Sequence, residues 1–547
     1  MLLAAQPALA QVTPPSLPSQ SDISRSRVTL PPPKTPDFDL RIQRPEKAPV
    51  ARAIDEVDFA VTGIMVDGAT AFPPDQVNAF FAPLVGKTVG LEALREAATR
   101  LENLYSRKGF FLSRVFVPPQ QVKDGVLTVR VIEGYIGDIY VEGMDRGSRA
   151  RVEAMLAPLL KRKPIDLASV ERRLLVLNDL PGLSGTSVLR PGADLGASDL
   201  VVTLAKPADL YQVTVNNSAS KILGPWSYSA LPVINRPFSL PGTLLLGVSA
   251  GGRKIEAVRS ANLRYSVPIG TSGLIASLGG VIARSRPAGS LRPLEIQSDL
   301  TSLSLRSRYP ILRGRKHSLF LEAGLAVNRF VTDILGQRIV DDRSTVGDVG
   351  LIYQQNGWLA GSTTVALGVA QGLPILGAGD KAAPFPSVLG FDPGFTKLTY
   401  TIQRTQRLPR GFSALAALQG QYSSSKLLAG ELVSFGGPSI GRGYDPSAIA
   451  GDRGIGGLFE VRRDVRVKAL GFYTAQPYVF ADAARVTTLA TVLGPRSSER
   501  IHSIGAGFRL FHPHGSIDLQ IADAGRRLGS ADERRNPRIL ISTSVGF

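Results

Sequence analysis

From Pro207 to the end, the chain alternates apolar with polar side chains in runs separated by turn-forming residues. In residues 397–408, Leu398, Tyr400 and Ile402 share one face while Thr399, Thr401 and Gln403 share the other. In 302–309, Leu303, Leu305 and Tyr309 oppose Ser304, Arg306 and Arg308, and in 516–521, Ile517, Leu519 and Ile521 oppose Ser516, Asp518 and Gln520. The last run sets Ile539, Ile541, Val545 and Phe547 against Ser542, Ser544 and Gly546. A period of two is the signature of a strand with one apolar face. Such strands pack as a soluble sandwich, or close into a barrel whose apolar face meets lipid. Small and polar residues on the second face suit a hydrated lumen better than a packed core. After Pro207 there is room for roughly sixteen spans of about ten residues plus turns. Residues 208–547 therefore read as a transmembrane antiparallel β-barrel of about sixteen strands.

The preceding stretch has a different texture. Residues 57–66 are β-rich, 74–84 and 91–107 read as helices, and 111–117 and 126–132 read as strands. Leu91, Leu94, Ala98, Leu101 and Tyr105 form one apolar stripe at helical spacing, and Lys108-Gly109 stops that helix. The order strand, helix, helix, strand, strand then recurs, with a strand at 136–141, helices at 148–160 and 167–178, and strands at 183–189 and 199–205. Two α+β units of about 75 residues, 55–133 and 134–207, thus repeat one topology. Small sheets of this kind leave unpaired strand margins, where another chain can add as a strand. The margin at 111–117, with Phe111, Ser113, Val115 and Val117, is the candidate capture edge of the first unit.

The N-terminus opens with a short apolar stretch ending in Ala8-Leu9-Ala10, a small-x-small pattern that marks residues 1–10 as the remnant of an export signal. Residues 11–54 carry nine prolines, too dense for continuous helix or strand, and read as a linker. Within it, 19–29 could form a short helix on binding.

Composition removes several function classes. With no Cys, thiol catalysis, Cys-ligated metal sites and disulfides are excluded. The formal charge of +18 comes from scattered Arg and Lys without a dense basic helix, which argues against nucleic acid. Gly437-Pro438-Ser439-Ile440-Gly441 spells the hydrolase nucleophile pattern. That elbow needs a helix after the Ser, and Pro446 discourages one. His512-Pro513-His514 lacks further ligands placed to complete a metal site. No G-x-x-x-x-G-K-[ST] phosphate loop is present. The expectation is a non-enzyme without cofactor or metal.

The most informative stretch runs Gly436-Gly437-Pro438-Ser439-Ile440-Gly441-Arg442-Gly443-Tyr444-Asp445, followed by Gly451-Asp452-Arg453-Gly454. Phe480-Ala481-Asp482 lies in a later strand, where Phe480 and Asp482 point the same way. Together with two repeats, a Pro-rich start and the terminal Phe547, these residues resemble the ShlB-type two-partner secretion transporters of the outer-membrane assembly superfamily. The family's usual Val or Leu before the Arg is Gly441 here. The resemblance implies two periplasmic polypeptide-transport-associated (POTRA) repeats and a barrel in the outer membrane of a Gram-negative bacterium. It also implies that the loop over 431–455 folds into the lumen as a latch.

In that reading Arg442, Gly443, Tyr444 and Asp445 form the latch and Gly451 to Gly454 close the loop. Asp482 and Phe480 stand on the wall, with Arg442 pairing to Asp482 and Glu460 as the competing carboxylate. Gly443 lets the loop turn sharply, and Tyr444 packs on the wall. Phe547 serves as the C-terminal insertion signal. The implied partners are an unfolded secreted exoprotein, outer-membrane lipid and the barrel-assembly machinery during biogenesis, with no nucleic acid. The Pro-rich segment is a possible plug. An insertase of the same superfamily, folding other barrels, is the alternative.

Overall fold

The computed structural model describes residues 40–42, 58–122, 124–221, 223–252, 257–287, 289–378, 386–469, 471–490, 494–525 and 537–547. The proposed signal remnant, and the linker apart from Leu40–Ile42, lie outside them, as does the 19–29 segment.

In the first unit the helix Leu91–Arg107 lays Leu94, Ala97, Ala98, Leu101 and Tyr105 on a sheet whose core residues are Leu127, Val129 and Val131. Gly109, at φ +92°, turns the chain away after Lys108. The sheet has Val126–Ile132 at its centre, Gly63–Asp67 parallel on one side and Arg114–Phe116 antiparallel on the other. The helix read over 74–84 is shorter, running over Pro74–Asn78 with a separate 3₁₀ turn at Ala82–Leu84. Pro83 has no N–H to continue the ladder.

Glu133, the last residue of the first unit, ties that unit's end back onto its own body. It accepts hydrogen bonds from Thr70 N (2.7 Å), Ala71 N (2.8 Å), the Tyr105 hydroxyl (2.8 Å) and the Thr70 hydroxyl. Burial alone would raise its pKa, but these four donors outweigh burial and hold the carboxyl below the usual range.

The second unit repeats the topology. Its helices Arg146–Leu156 and Leu167–Asp179 are capped by Asp145, which accepts from Ser148 N at 3.0 Å, and by Asp166, which accepts from Ser169 N at 2.8 Å. Its sheet holds Tyr135–Glu142, Ala197–Ala205 and Ser184–Pro191, and the outer margin of Ser184–Pro191 takes Leu40–Ile42 as a parallel strand, Leu40 opposite Ser187. An extended piece of the proline-rich segment thus occupies a sheet edge.

The remainder is a closed antiparallel barrel of sixteen strands among the described residues, Arg453–Arg463 and Val465–Ala469 counting as one strand broken at Asp464. It closes where the first strand, Leu210–Asn216, pairs with the last, Arg538–Gly546. Leu303, Leu305, Val349, Leu367, Val369, Phe459, Val479, Ile504 and Ile539 all stand about half or more exposed on the outer surface. So continuous an apolar exterior is a lipid-facing band. Phe547 stacks on Tyr211 of the first strand at 5.9 Å and exchanges both backbone hydrogen bonds with it at 3.0 Å. No helix among the described residues is long and apolar enough to cross a membrane, so the crossing falls to the strands.

The short-turn end of the barrel carries the second unit. Arg313 grips Asp179 with two bonds of 2.6 and 2.8 Å, and Arg315 donates its backbone N–H to Glu171 at 2.7 Å. Arg236 meets Asp145 at 2.7 Å and Ser148 Oγ at 3.0 Å, while Arg151 of the unit donates to Pro268 O at 2.9 Å. Three successive barrel turns are engaged by the two helices.

Candidate functional site

At the opposite end, the long connection between Phe412–Ser423 and Arg453–Arg463 turns into the lumen. It carries a small ribbon, Val433–Phe435 paired with Ile449–Gly451. Phe435, Ile440, Tyr444 and Ile449 of the loop pack against Ala484, Val486 and Ile501 of the wall, a small apolar core inside a polar lumen. Tyr444 is buried there, and its carbonyl accepts from Arg538.

Two glycines make the loop's path possible, for different reasons. Gly441 sits at φ +89°, and a Cβ there would come within 2.6 Å of Ile501 and 2.9 Å of the Gly436 backbone. A branched residue at this position, as the family pattern has it, does not fit this path, and Ile440 supplies the apolar contact instead. Gly443 lies in a tight turn, closed by Tyr444 N donating to Gly441 O at 2.9 Å. It is needed because the loop backbone passes so close to the strand Gly515–Ala524 that a Cβ would lie 2.8 Å from Ala524 N.

The guanidinium of Arg442 pairs with Glu460 at 3.0 Å, which corrects the expected partner. Asp482 instead holds the loop's main chain. It accepts from Gly441 N at 2.8 Å and Arg442 N at 3.4 Å, and from the Ser503 hydroxyl on the neighbouring strand. The reason is geometric: Glu460 lies directly opposite Phe480 in the ladder, and Phe480 supplies a ring 4.2 Å beneath the Arg442 guanidinium. The side chain therefore runs over Phe480 to Glu460, while the backbone rests on Asp482.

Glu460 is fully buried and shared. Arg509 contacts it with bonds of 2.7 and 3.2 Å, and Arg462 lies 3.4 Å away. Arg509 also stacks on Tyr478 at 3.8 Å and bonds Gln476 and Asp518 at 3.0 and 3.2 Å. The Tyr478 hydroxyl donates to Asp518 at 2.7 Å. Gly505 and Gly507 stand opposite Phe480 and Tyr478, and a Cβ at either would strike the aromatic ring. The floor of the site is thus two rings laid over two glycines.

The closing motif ties outer loops together. Asp452, buried, accepts from Leu427 N and Leu489 N, both at 2.8 Å. Arg453 donates to Ser423 O at 2.6 Å and lies over Tyr422 at 4.5 Å. Gly451 and Gly454 pass so close to Thr487 and Val433 that a Cβ would fall 2.7 and 2.8 Å from their atoms. Asp445 sits at the loop tip, 3.4 Å from Arg538, and accepts from Lys221 N at 3.1 Å. A further buried pair, Lys397 with Glu431 at 2.8 Å, fixes the loop's entry. Arg462, Arg509, Arg538, the Lys397–Glu431 pair and Gln520, whose side-chain oxygen accepts from Arg442 at 3.4 Å, were not singled out from sequence. The readable signal for Arg509 was a charge on the polar face of an apolar strand.

At the proposed capture edge, the Val115 and Ser113 side chains point into the first unit's interior. Phe111 packs against the core of the second unit. The Val115 N–H donates to Glu102 at 3.1 Å, so this margin is partly capped by the protein itself. His512 and His514 lie at the tight turn joining Ser497–His512 to Gly515–Ala524. Ser439 lies in the inward loop, with no helix after it.

Residues 196–510, more than half of the sequence, match the family described as haemolysin secretion/activation protein ShlB/FhaC/HecB. The chain belongs to this family. Residues 59–134 match the ShlB-type POTRA domain. The hemolysin transporter protein ShlB of Serratia marcescens is 27% identical over 502 residues, spanning 88% of this chain and 85% of ShlB. The hemolysin transporter protein HpmB of Proteus mirabilis is 23% identical over 481 residues, covering 84% and 81%. Among solved structures, CdiB from Escherichia coli superposes with a TM-score of 0.69 at 21% identity, covering 97% of this chain and 96% of CdiB. This ShlB/FhaC/HecB-family chain is an outer-membrane barrel with its POTRA region on the periplasmic side, so the inward loop enters the lumen from the extracellular end.

Proposed function

We propose that the protein captures an unfolded secreted protein in the periplasm and passes it through the barrel to the exterior. The observation that carries this reading is the inward hairpin, anchored in the lumen by Arg442 on Glu460 and by its own backbone on Asp482. A hairpin seated by a few polar contacts and one small apolar cluster inside a hydrated channel is a closure that can be released. The periplasm holds no nucleotide and the sequence no G-x-x-x-x-G-K-[ST] phosphate loop, so folding of the exported protein outside supplies the pull.

Capture runs through strand addition. The margin of Ser184–Pro191 already takes Leu40–Ile42 in parallel register, which supports an extended client docking on this sheet edge. At the first unit, Glu102 occupies one donor of the Arg114–Phe116 margin, and a client there would displace it. Outer-membrane lipid surrounds the apolar band, and the barrel-assembly machinery inserts the chain.

Deleting residues 55–133 tests the capture role. Secretion of the cognate exoprotein from cells should fall to background while the barrel keeps its heat-dependent electrophoretic mobility. Export surviving that deletion would remove capture by the first unit.

A further inference from the structure

We propose that Arg538, at the start of the last barrel strand, is the positioning residue that couples the inward loop to the closure of the barrel. The inference rests on the reading of the loop as a latch and extends it to the seam between the first and last strands.

The seam is the place where the barrel depends least on its ladder. Ladder pairing runs from Gln212 opposite Gly546 to Asn216 opposite Ser542, with Tyr211 and Phe547 exchanging both backbone bonds below it. Beyond it, toward the extracellular end, the Asn217 side-chain amide stands in for a peptide group. It accepts from Ile541 N at 2.7 Å and donates to Ile539 O at 3.0 Å. Past Asn217, Arg538 takes over. Its guanidinium donates to Ser218 O at 3.3 Å and Ala219 O at 3.1 Å, both just after the first strand. The same guanidinium donates to Tyr444 O and lies 3.4 Å from the Asp445 carboxylate, both on the inward loop. Asp445 completes the circuit by accepting from Lys221 N.

Three segments remote in sequence therefore meet on one largely buried side chain, which is 10% exposed. Only a guanidinium offers enough donors in a fixed plane for such a node. Asp445 is its carboxylate partner among the described residues. When the loop leaves the lumen, Arg538 loses both Tyr444 O and Asp445 and is left a shielded cation facing two carbonyls. A buried charge without its partner is unfavourable, so the upper seam rearranges. Loop withdrawal and loosening of the closure are then one event. In the latched state each holds the other.

Hydrogen exchange by mass spectrometry on the full chain in lipid nanodiscs tests the coupling, read on peptides covering 210–217 and 538–547, with 298–313 as a remote reference. Arg538→Ala should speed exchange in both seam peptides about tenfold and leave the reference unchanged. Arg538→Lys should restore only part of the protection, since one ammonium cannot serve all the acceptors. Arg442→Ala, which frees the loop from the far side, should loosen the seam when Arg538 is present and add nothing in the Arg538→Ala background. Seam exchange in Arg538→Ala within twofold of the parent, or no effect of Arg442→Ala on the seam, overturns the proposal. If Arg538→Ala does not insert, Asp445→Asn carries the same test from the loop side with Arg538 intact. Faster seam exchange supports the coupling and unchanged exchange overturns it. The readout is independent of export. A loosened seam with normal secretion upholds the coupling and removes the latch reading, and an unchanged seam with lost secretion does the opposite.

Discussion

Arginine–carboxylate pairs hold this molecule in two places, and the two are built on different plans. At the joint between the second unit and the barrel, each guanidinium has its own carboxylate: Arg313 with Asp179, Arg315 with Glu171, Arg236 with Asp145. One member of each pair is partly or well exposed to water. In the lumen, a single buried carboxylate, Glu460, lies against Arg442, Arg462 and Arg509. Independent pairs fail one at a time, at costs that add. A shared buried partner fails at once, because its loss strands several desolvated cations. The joint is therefore suited to keep a domain in place through fluctuation, and the lumen cluster to be either engaged or released.

The largest effect should come from breaking the shared partner. Glu460→Ala is expected to destabilise the docked loop by roughly 3–5 kcal/mol. It should expose a cysteine introduced at Ser447 to thiol labelling from outside and cut secretion. Labelling no faster than in the parent would mean that Glu460 is not the keystone. Arg442→Ala should do less, because Arg509 still satisfies Glu460, yet it should reduce secretion while leaving barrel insertion intact. Unchanged export would count against the latch.

Asp482→Ala removes the acceptor for two loop N–H groups, costing about 1–3 kcal/mol. Its effect on loop labelling should be less than additive with that of Arg442→Ala, since both act on one docked segment. Full additivity would separate backbone anchoring from the guanidinium. At the joint, Arg313→Ala should cost about 1.5–3 kcal/mol and broaden the spin-label distance distribution between the second unit and the barrel. Loss of secretion as complete as in Glu460→Ala would collapse the contrast between the two sites.

The smallest effect belongs to the exposed pair. The Ser148 hydroxyl and backbone N–H, with Arg236 behind them, lower the Asp145 pKa to about 2. A folded-state pKa below the unfolded one means that this cap's contribution is complete above about pH 4 and fades as pH falls through about 2. Asp145→Ala should cost about 0.5–2 kcal/mol at neutral pH. In acid unfolding of the 134–207 region, followed by helix signal in the full chain, parent and variant should converge near pH 2. A constant gap down to that pH would assign the effect to something other than the cap.

Much of the architecture was legible because it follows from local rules. The helix Leu91–Arg107 and the strand Val126–Ile132 lie where their periodicities put them. The barrel faces alternate as the side chains do. The misreadings are local as well. The helix read from 148 begins at Arg146, because Asp145 caps it, and the strand read over 111–117 narrows to Arg114–Phe116. Phe110 O accepts from Ser113 N, which makes a turn of the preceding residues.

At the site, Arg442, Asp482, Phe480 and Glu460 were all recognisable, but not which carboxylate meets the guanidinium. Glu460 and Asp482 both face the lumen on adjacent strands. The choice between them depends on the loop's descent through Gly441 at φ +89° and on the ring of Phe480 beneath the side chain. Arg538 reaches the loop, and Arg509 reaches Glu460, from strands far along the chain, and no spacing in the sequence links them to it.

What the sequence determined by itself was everything that nearest neighbours control: two repeats of one small unit, a run of two-faced strands, and a loop whose glycines and arginine mark it as unusual. Only the tertiary structure decided who holds whom. It paired Arg442 with Glu460, gave the Asp482 carboxylate to the backbone, and brought Arg538 to the seam. Closing a barrel sets side chains from distant strands side by side through register and curvature. Those are properties of the whole sheet, and no single strand carries them.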